Sequence, residues 1–247
     1  MPGLEPYLSI AQSPEGYVSL AGLRRRAHDD GRAETDVVYS TQFQSGRAMT
    51  TWRSVGTPYG QDWQRADQIG VPTAVRDSVG LHLLVRNAGG GVCGRRQDAR
   101  GIWGPWTDMK GSHLLDTVSG ATTADGRIEL FGPASEFVLR WRQEPGGPLR
   151  RVLNTPAKPL TGTATSFPTG DGRVAHVWRD ATDSVLQHLS PPPPRAPAAR
   201  RAPRRRPPRP WSPSAATAPA RWPPCAPPWT ATPPRSWPSA PGRACRP

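Results

Sequence analysis

Over the first 189 residues, apolar positions fall in short runs of four to six, each bounded by Gly, Asp, Asn or Pro. Gly80-Leu81-His82-Leu83-Leu84-Val85, Asp125-Gly126-Arg127-Ile128-Glu129-Leu130-Phe131 and Asp171-Gly172-Arg173-Val174-Ala175-His176-Val177 are the clearest. None shows apolar residues at i, i+3, i+4 and i+7, the signature of an amphipathic helix. Short alternating or continuous apolar runs between turn residues predict strands. Asp-Gly is the preferred pair of a tight turn, so Asp125 and Asp171 are expected to shape the turns before their strands.

These runs recur. The two Asp-Gly-Arg segments are 46 residues apart, and the Gly80 run lies about 46 earlier still. A second landmark keeps step, because Val92-Cys93-Gly94-Arg95-Arg96-Gln97 is matched by Val138-Leu139-Arg140-Trp141-Arg142-Gln143. A weaker first copy spans Gly16-Tyr17-Val18-Ser19-Leu20-Ala21-Gly22 and Val37-Val38-Tyr39-Ser40-Thr41-Gln42. Trp52-Arg53-Ser54-Val55-Gly56, and the stretch from Trp103 through Trp106 to Gly111, read as closing strands; Pro148-Leu149-Arg150 stands there in the third copy. A period of this length marks a solenoid or propeller, in which a unit that cannot bury its faces alone is covered by its neighbours. The expected fold is therefore all-β: a β-propeller of blades of about 46 residues, incomplete at about four units (7–56, 70–111, 118–155 and 161–189). A β-sandwich is the second choice.

Composition divides the chain. Residues 190–247 use only Ser, Pro, Arg, Ala, Trp, Thr, Cys and Gly, with 20 of the 32 prolines, 11 arginines and no acid. The chain's net charge of +13 belongs almost wholly to this tail, since the first 189 residues hold 21 basic against 19 acidic groups. A basic balance argues for nucleic acid only when it belongs to the folded part, so nucleic acid is not the expected partner. Proline at this density prevents packed helix or sheet, and a disordered Pro/Arg-rich, low-complexity tail is expected. The repeat stops inside a strand, where Ser190 stands in place of the glutamine, and a reduced alphabet follows. A frameshifted or truncated, non-functional copy accounts for this; a polybasic arm carrying Trp211, Trp222, Trp229 and Trp237 is the alternative.

The turn Asp125-Gly126-Arg127 with its counterpart at Asp171, the Trp141-x-Gln143 strand end, and Gly101-x-Trp103-x-x-Trp106 together resemble the PLL-like, fucose-binding-lectin-type β-propellers of bacteria. A looser resemblance is to tectonin-type propellers. The likeness covers most of residues 60–189, more loosely residues 7–56, and none of the tail. It implies shallow sites between adjacent blades for glycans, fucose-like and O-methylated sugars among them. Arg95-Arg96 and Gln187-His188 stand where that family tends to place an aromatic pair.

A sugar site needs an aromatic face and planar or charged hydrogen-bonders. Trp106, Trp141 and Trp178 are the candidate platforms, with Arg86, Arg179, Gln97 and Gln143 as the polar partners. A tryptophan recurring once per unit equally suits the core between blades, and the glutamines equally suit strand ends. No Ser-His-Asp arrangement, paired carboxylates or Asp-box (Ser-x-Asp-x-Gly-x-x-Trp) is found, so no catalytic residue and no enzyme are expected. His82, His176 and His188 lack metal-ligand spacing, and the single body cysteine, Cys93, excludes a disulfide framework there; neither metal nor cofactor is expected. No signal peptide and no apolar run near ~20 residues is visible, which gives a cytoplasmic location by default and no membrane span. The expected function is a non-catalytic, multivalent glycan-binding propeller. A protein-binding scaffold is the second reading and a glycan hydrolase the third. Exposed sheet edges leave room for oligomerisation.

Overall fold

Why the apolar runs are continuous rather than alternating becomes clear in the second sheet. In β6 (Leu81–Arg86) every residue but the last is buried. Leu81, Leu83 and Val85 enter one core while Leu84 enters the next, so a two-residue period places both faces against protein.

The computed structural model describes residues 1–144, 147–182 and 184–192. They belong to the compact unit Met1–Ala198; the second unit, Ala199–Pro247, lies outside them, as does nearly all of the tail expected to be disordered. The chain order is β1 (Ser9–Gln12), β2 (Val18–Ala27), β3 (Ala33–Thr41), β4 (Arg53–Gly56), α1 (Trp63–Ala66), β5 (Thr73–Arg76), β6, β7 (Val92–Arg96), β8 (Thr107–Asp108), β9 (Ser119–Thr122), β10 (Ile128–Pro133), β11 (Phe137–Gln143), β12 (Leu149–Pro156), β13 (Thr165–Pro168), β14 (Val174–Arg179) and β15 (Val185–Leu189). They form four small antiparallel sheets in simple chain order: β1–β4, β5–β8, β9–β12 and β13–β15. One helix of four residues, capped by the Asp62 carboxylate on the Arg65 N–H, is the only helix among the described residues, and it is too short to cross a membrane.

The first strands of successive sheets lie side by side, and polar side chains stitch them at the repeat distance. The Thr117 hydroxyl donates to the Val71 carbonyl across 2.8 Å and 46 residues. Thr122 donates in the same way to Arg76, and the Ser119 and Ser166 hydroxyls share a 2.7 Å hydrogen bond. Between sheets lie three apolar cores. Leu23, Val37 and Tyr39 meet Leu81, Leu83 and Val85 in the first; Leu84 and Val92 meet Ile128, Leu130, Leu139 and Trp141 in the second. The third is smaller, with Phe131 and Val138 against Trp178.

The turns before the second strands share one design. Arg127 N–H donates to the Thr123 hydroxyl while Thr123 N–H returns to the Arg127 carbonyl, and Asp125 holds the Arg127 side chain at 2.8 Å. In the fourth sheet Thr169 N–H likewise returns to the Arg173 carbonyl and Asp171 takes the Arg173 guanidinium at 2.7 Å, while the Arg173 N–H donates to the Asp171 carboxylate at 3.3 Å. Gly126 and Gly172 complete the turns at φ +79° and +81°, where a side chain is strained.

Glutamine at the end of the third strand has a defined task. Gln143 accepts the Ile128 N–H through Oε1 at 3.0 Å, and Gln42 accepts the Val18 N–H at 3.1 Å, each satisfying a backbone donor at the entry to a second strand. Ser190 performs the same task in the fourth sheet, its hydroxyl accepting the Val174 N–H at 2.8 Å.

Candidate functional site

A cleft of about 530 Å³ opens between the second and third sheets. Its floor is set by Gly94: a Cβ there would meet the Met109 sulfur at 2.5 Å, so only glycine lets Met109 lie across β7. One wall is the loop after β7. The Asp98 carboxylate accepts the N–H groups of Arg100 and Ile102, both at 2.9 Å, and Gly101 turns at φ +77°. This tight loop holds Ile102 out into the cleft, 55% exposed. Trp103 follows, its ring edge-on to Tyr39 at 5.2 Å and its buried indole N–H without a hydrogen-bond partner among the described residues. Arg96, Gln97, Asp108 and, from the third sheet, Leu149 complete the surround.

Behind the cleft sits a buried polar hub. Asp77, 4% exposed, accepts the N–H groups of Val79 and Gly80, the His82 Nε2–H at 3.0 Å and the Gln143 amide at 2.7 Å. Arg96 reaches it at 3.4 Å. Burial by itself would raise the Asp77 carboxyl, but the hydrogen bonds from His82, Gln143 and Gly80, with the His82 charge, hold it well below the usual carboxylate range. Asp98 is lowered chiefly by the Ile102 N–H, and Asp108 chiefly by the Lys110 ammonium at 2.9 Å. The carboxylates around the cleft are thus ionised acceptors, beside the Arg96 and Gln97 donors.

The sequence candidates divide sharply in space. Gln97 lies in this cleft, its amide donating to the Gly101 carbonyl at 3.3 Å. Gln143 is 2% exposed, and both ends of its amide are engaged with Ile128, Asp77 and Gly147. Trp141 is fully buried in the second core, its indole N–H donating to the Met109 carbonyl at 2.8 Å, which leaves no ring face for a ligand. Trp178 is 3% exposed against Phe131 in the third core. Trp106 packs against the first core and donates to the Val55 carbonyl at 3.2 Å. Arg86 donates to the Leu114 carbonyl at 3.0 Å, and Arg179, exposed, bonds Thr163 through its backbone. No more than one of the seven lines the cleft. Ile102, Asp98 and Leu149 were not singled out from sequence; the Gly101 turn before an exposed Ile was the available signal, and nothing in the sequence joined it to Leu149.

Two further hollows are present. One of about 730 Å³ runs along the first strands of all four sheets, lined by Ser13, Asp77, Thr123 and Ser166 among others. The other, about 450 Å³, lies beside Trp63 at the tip of the β2–β3 hairpin, between Glu34, Asp36 and Gln61.

No family model and no curated protein matches the sequence. Among solved structures, the chain is similar to an arginine-to-alanine mutant of AofleA from Arthrobotrys oligospora at 12% identity and a TM-score of 0.49, covering 74% of this chain and 54% of that one. It is similar to the SapL1 lectin in complex with alpha methyl fucoside at 12% identity and a TM-score of 0.44, covering 74% and 58%. The alpha-L-arabinofuranosidase PaAbf62A from Podospora anserina, in complex with cellotriose, matches at 12% identity and a TM-score of 0.44, covering 76% and 64%. The chain therefore spans 54% to 64% of the length of these proteins. The sequence expectation of a protein that is not an enzyme is corrected here. An alpha-L-arabinofuranosidase stands among the similar structures, as a lectin does.

Proposed function

We propose that the chain is a glycan-binding protein of β-propeller type, and that the cleft between the second and third sheets receives the sugar. The four sheets, with their first strands side by side around one hollow and a core between each successive pair, support the propeller reading. The observation that carries the ligand reading is the composition of the cleft. Ile102, Met109 and Leu149 offer an apolar surface for a pyranose face, and Arg96, Gln97, Asp98 and Asp108 surround it with donors and ionised acceptors for hydroxyls. Fucosides and O-methylated sugars, implied by the resemblance in the turns and strand ends, head the ligands to test.

The test is a glycan-array screen of the full chain, followed by titration calorimetry on the best ligand with Ile102→Ala and Gln97→Ala, and by an assay for sugar release from the same ligands. Saturable binding weakened about 5- to 20-fold in both variants supports the cleft. Failure of a folded chain to bind any glycan overturns the reading in favour of a protein-binding scaffold, and release of sugar assigns the cleft to hydrolysis.

A further inference from the structure

The hollow of about 450 Å³ at the tip of the β2–β3 hairpin is bordered by Trp63. Of the six tryptophans among the described residues, Trp63 alone is exposed, at 41%. Its indole belongs to none of the three cores, and among the described residues it contacts no other ring and makes no side-chain hydrogen bond. Ring area that packing does not use is therefore open to a ligand.

Local structure fixes the walls around this ring. Trp63 opens α1, where the Asp67 N–H donates to the Trp63 carbonyl at 2.9 Å and the Asp62 carboxylate accepts the Arg65 N–H at 3.2 Å. Asp67 then ties the helix to the hairpin: its carbonyl accepts from the Arg25 guanidinium at 3.1 Å, and its carboxylate from the Thr35 hydroxyl at 3.4 Å. The loop before the helix is held by Tyr59, whose hydroxyl accepts the Ala88 N–H at 2.8 Å and whose ring lies under the Arg65 guanidinium at 5.9 Å. A site with walls pinned in this way loses little freedom on binding.

The hollow exists because β4 is short. β3 begins at Ala33, but its pairing with β4 ends where Val37 meets Gly56. The bonds from His28 N–H to the Arg32 carbonyl and from Gln42 N–H to the Val18 carbonyl set the hairpin ladder. Ala33 and Thr35 accordingly turn their backbone groups away from β2, toward the side that β4 leaves uncovered, and meet no backbone partner there among the described residues. Gln61, exposed and without a side-chain hydrogen bond among the described residues, adds an amide to the same hollow.

The charges nearby cancel. Asp36 pairs with Arg24, Arg32 with Asp30, and Asp67 with Arg25 at 3.7 Å. Glu34 lies 3.9 Å from Arg26 and 3.7 Å from the His28 ring. No unanswered charge selects an ion, whereas amide and backbone groups supply both donors and acceptors, as hydroxyls require.

We propose that this hollow is a second carbohydrate site, which takes an uncharged pyranose against the Trp63 ring and bonds its hydroxyls through Gln61 and the backbone of Ala33 and Thr35. The volume suits one or two sugar units. The indole supplies the apolar face, and the unspent polar groups supply orientation. The site shares no residue with the cleft between the second and third sheets. Its ligand class rests on Trp63 and the balanced charges, so either site can fail alone. Where both bind, one chain grips a branched or repeated glycan at two points.

The experiment follows the indole N–H resonances of the full chain, ten in all, with that of Trp63 assigned by Trp63→Phe. The probes are the methyl glycosides of fucose, galactose, mannose and xylose, with glycerol as the polyol that lacks a ring. Saturable movement of the Trp63 resonance is expected with at least one glycoside and not with glycerol. It should persist in Ile102→Ala and weaken about 3- to 10-fold in Gln61→Ala, the cost of one lost hydrogen bond. No saturable movement with any of the four, equal movement with glycerol, loss in Ile102→Ala, or an affinity unchanged in Gln61→Ala overturns the proposal. A Trp63 response beside a cleft that binds no glycan overturns the reading of the cleft and leaves this site standing.

Discussion

The Gln143 amide nitrogen donates to the Asp77 carboxylate at 2.7 Å, tying two residues 66 positions apart. One side chain thereby closes its own sheet, through the Ile128 N–H, and satisfies a buried charge of the sheet before it. Gln143→Leu keeps the approximate volume but strands both partners, one of them charged. It should lower stability by about 2–4 kcal/mol, read from urea denaturation, whereas a loss under about 1 kcal/mol would show that the hub is not what joins these sheets.

The tryptophans of the core and the isoleucine of the cleft should separate stability from binding. Trp141→Phe removes the N–H to the Met109 carbonyl and part of a fully buried ring, with an expected loss of about 2–3 kcal/mol. Ile102→Ala, on an exposed loop, should stay within about 0.5 kcal/mol while weakening glycan binding. Paired denaturation and calorimetry on both variants check this, and the reverse assignment would place the ligand elsewhere.

Acid should loosen the third and fourth sheets first. Burial pushes His176 down to about 3, so the folded chain keeps the ring neutral where the unfolded chain protonates it below its ordinary value near 6.5. Stability from this group is complete above about pH 6.5 and falls as pH drops from there toward 3, by about 1.4 kcal/mol per pH unit in the middle of that window. His176→Phe, which preserves the stack on Phe131, should flatten the dependence between about pH 6 and 4 in denaturation series. The depressed Asp77 carboxyl acts lower, with stability present above about pH 4 and lost as pH falls further.

Ser190 tests where the fourth sheet ends. Its side chain is the acceptor for the Val174 N–H at 2.8 Å, and its own N–H donates to the Val174 carbonyl at the same distance. Ser190→Ala should cost about 1–2 kcal/mol and speed exchange of the Val174 amide, measured by hydrogen–deuterium exchange. Unchanged exchange would mean that another group serves this donor.

The chain's local pattern determined what local physics controls. Asp125-Gly126 and Asp171-Gly172 specify their turns because only a residue without a side chain is unstrained at φ near +80°, and Leu81 to Val85 must be a strand with two covered faces because both alternating sets are apolar. The period of 46 followed, as did the number of sheets, because each repeat closes its own hydrogen bonds. Tertiary structure alone decided which tryptophan is core and which residues surround a cleft. Trp141 is fully buried and Trp103 half-buried, yet one indole N–H meets the Met109 carbonyl from a neighbouring sheet and the other meets no partner among the described residues. Gln143 became a neighbour of Asp77, and Leu149 of Ile102, only when separate sheets packed face to face. Such pairings depend on the angle and spacing between sheets, to which no residue's local preference refers.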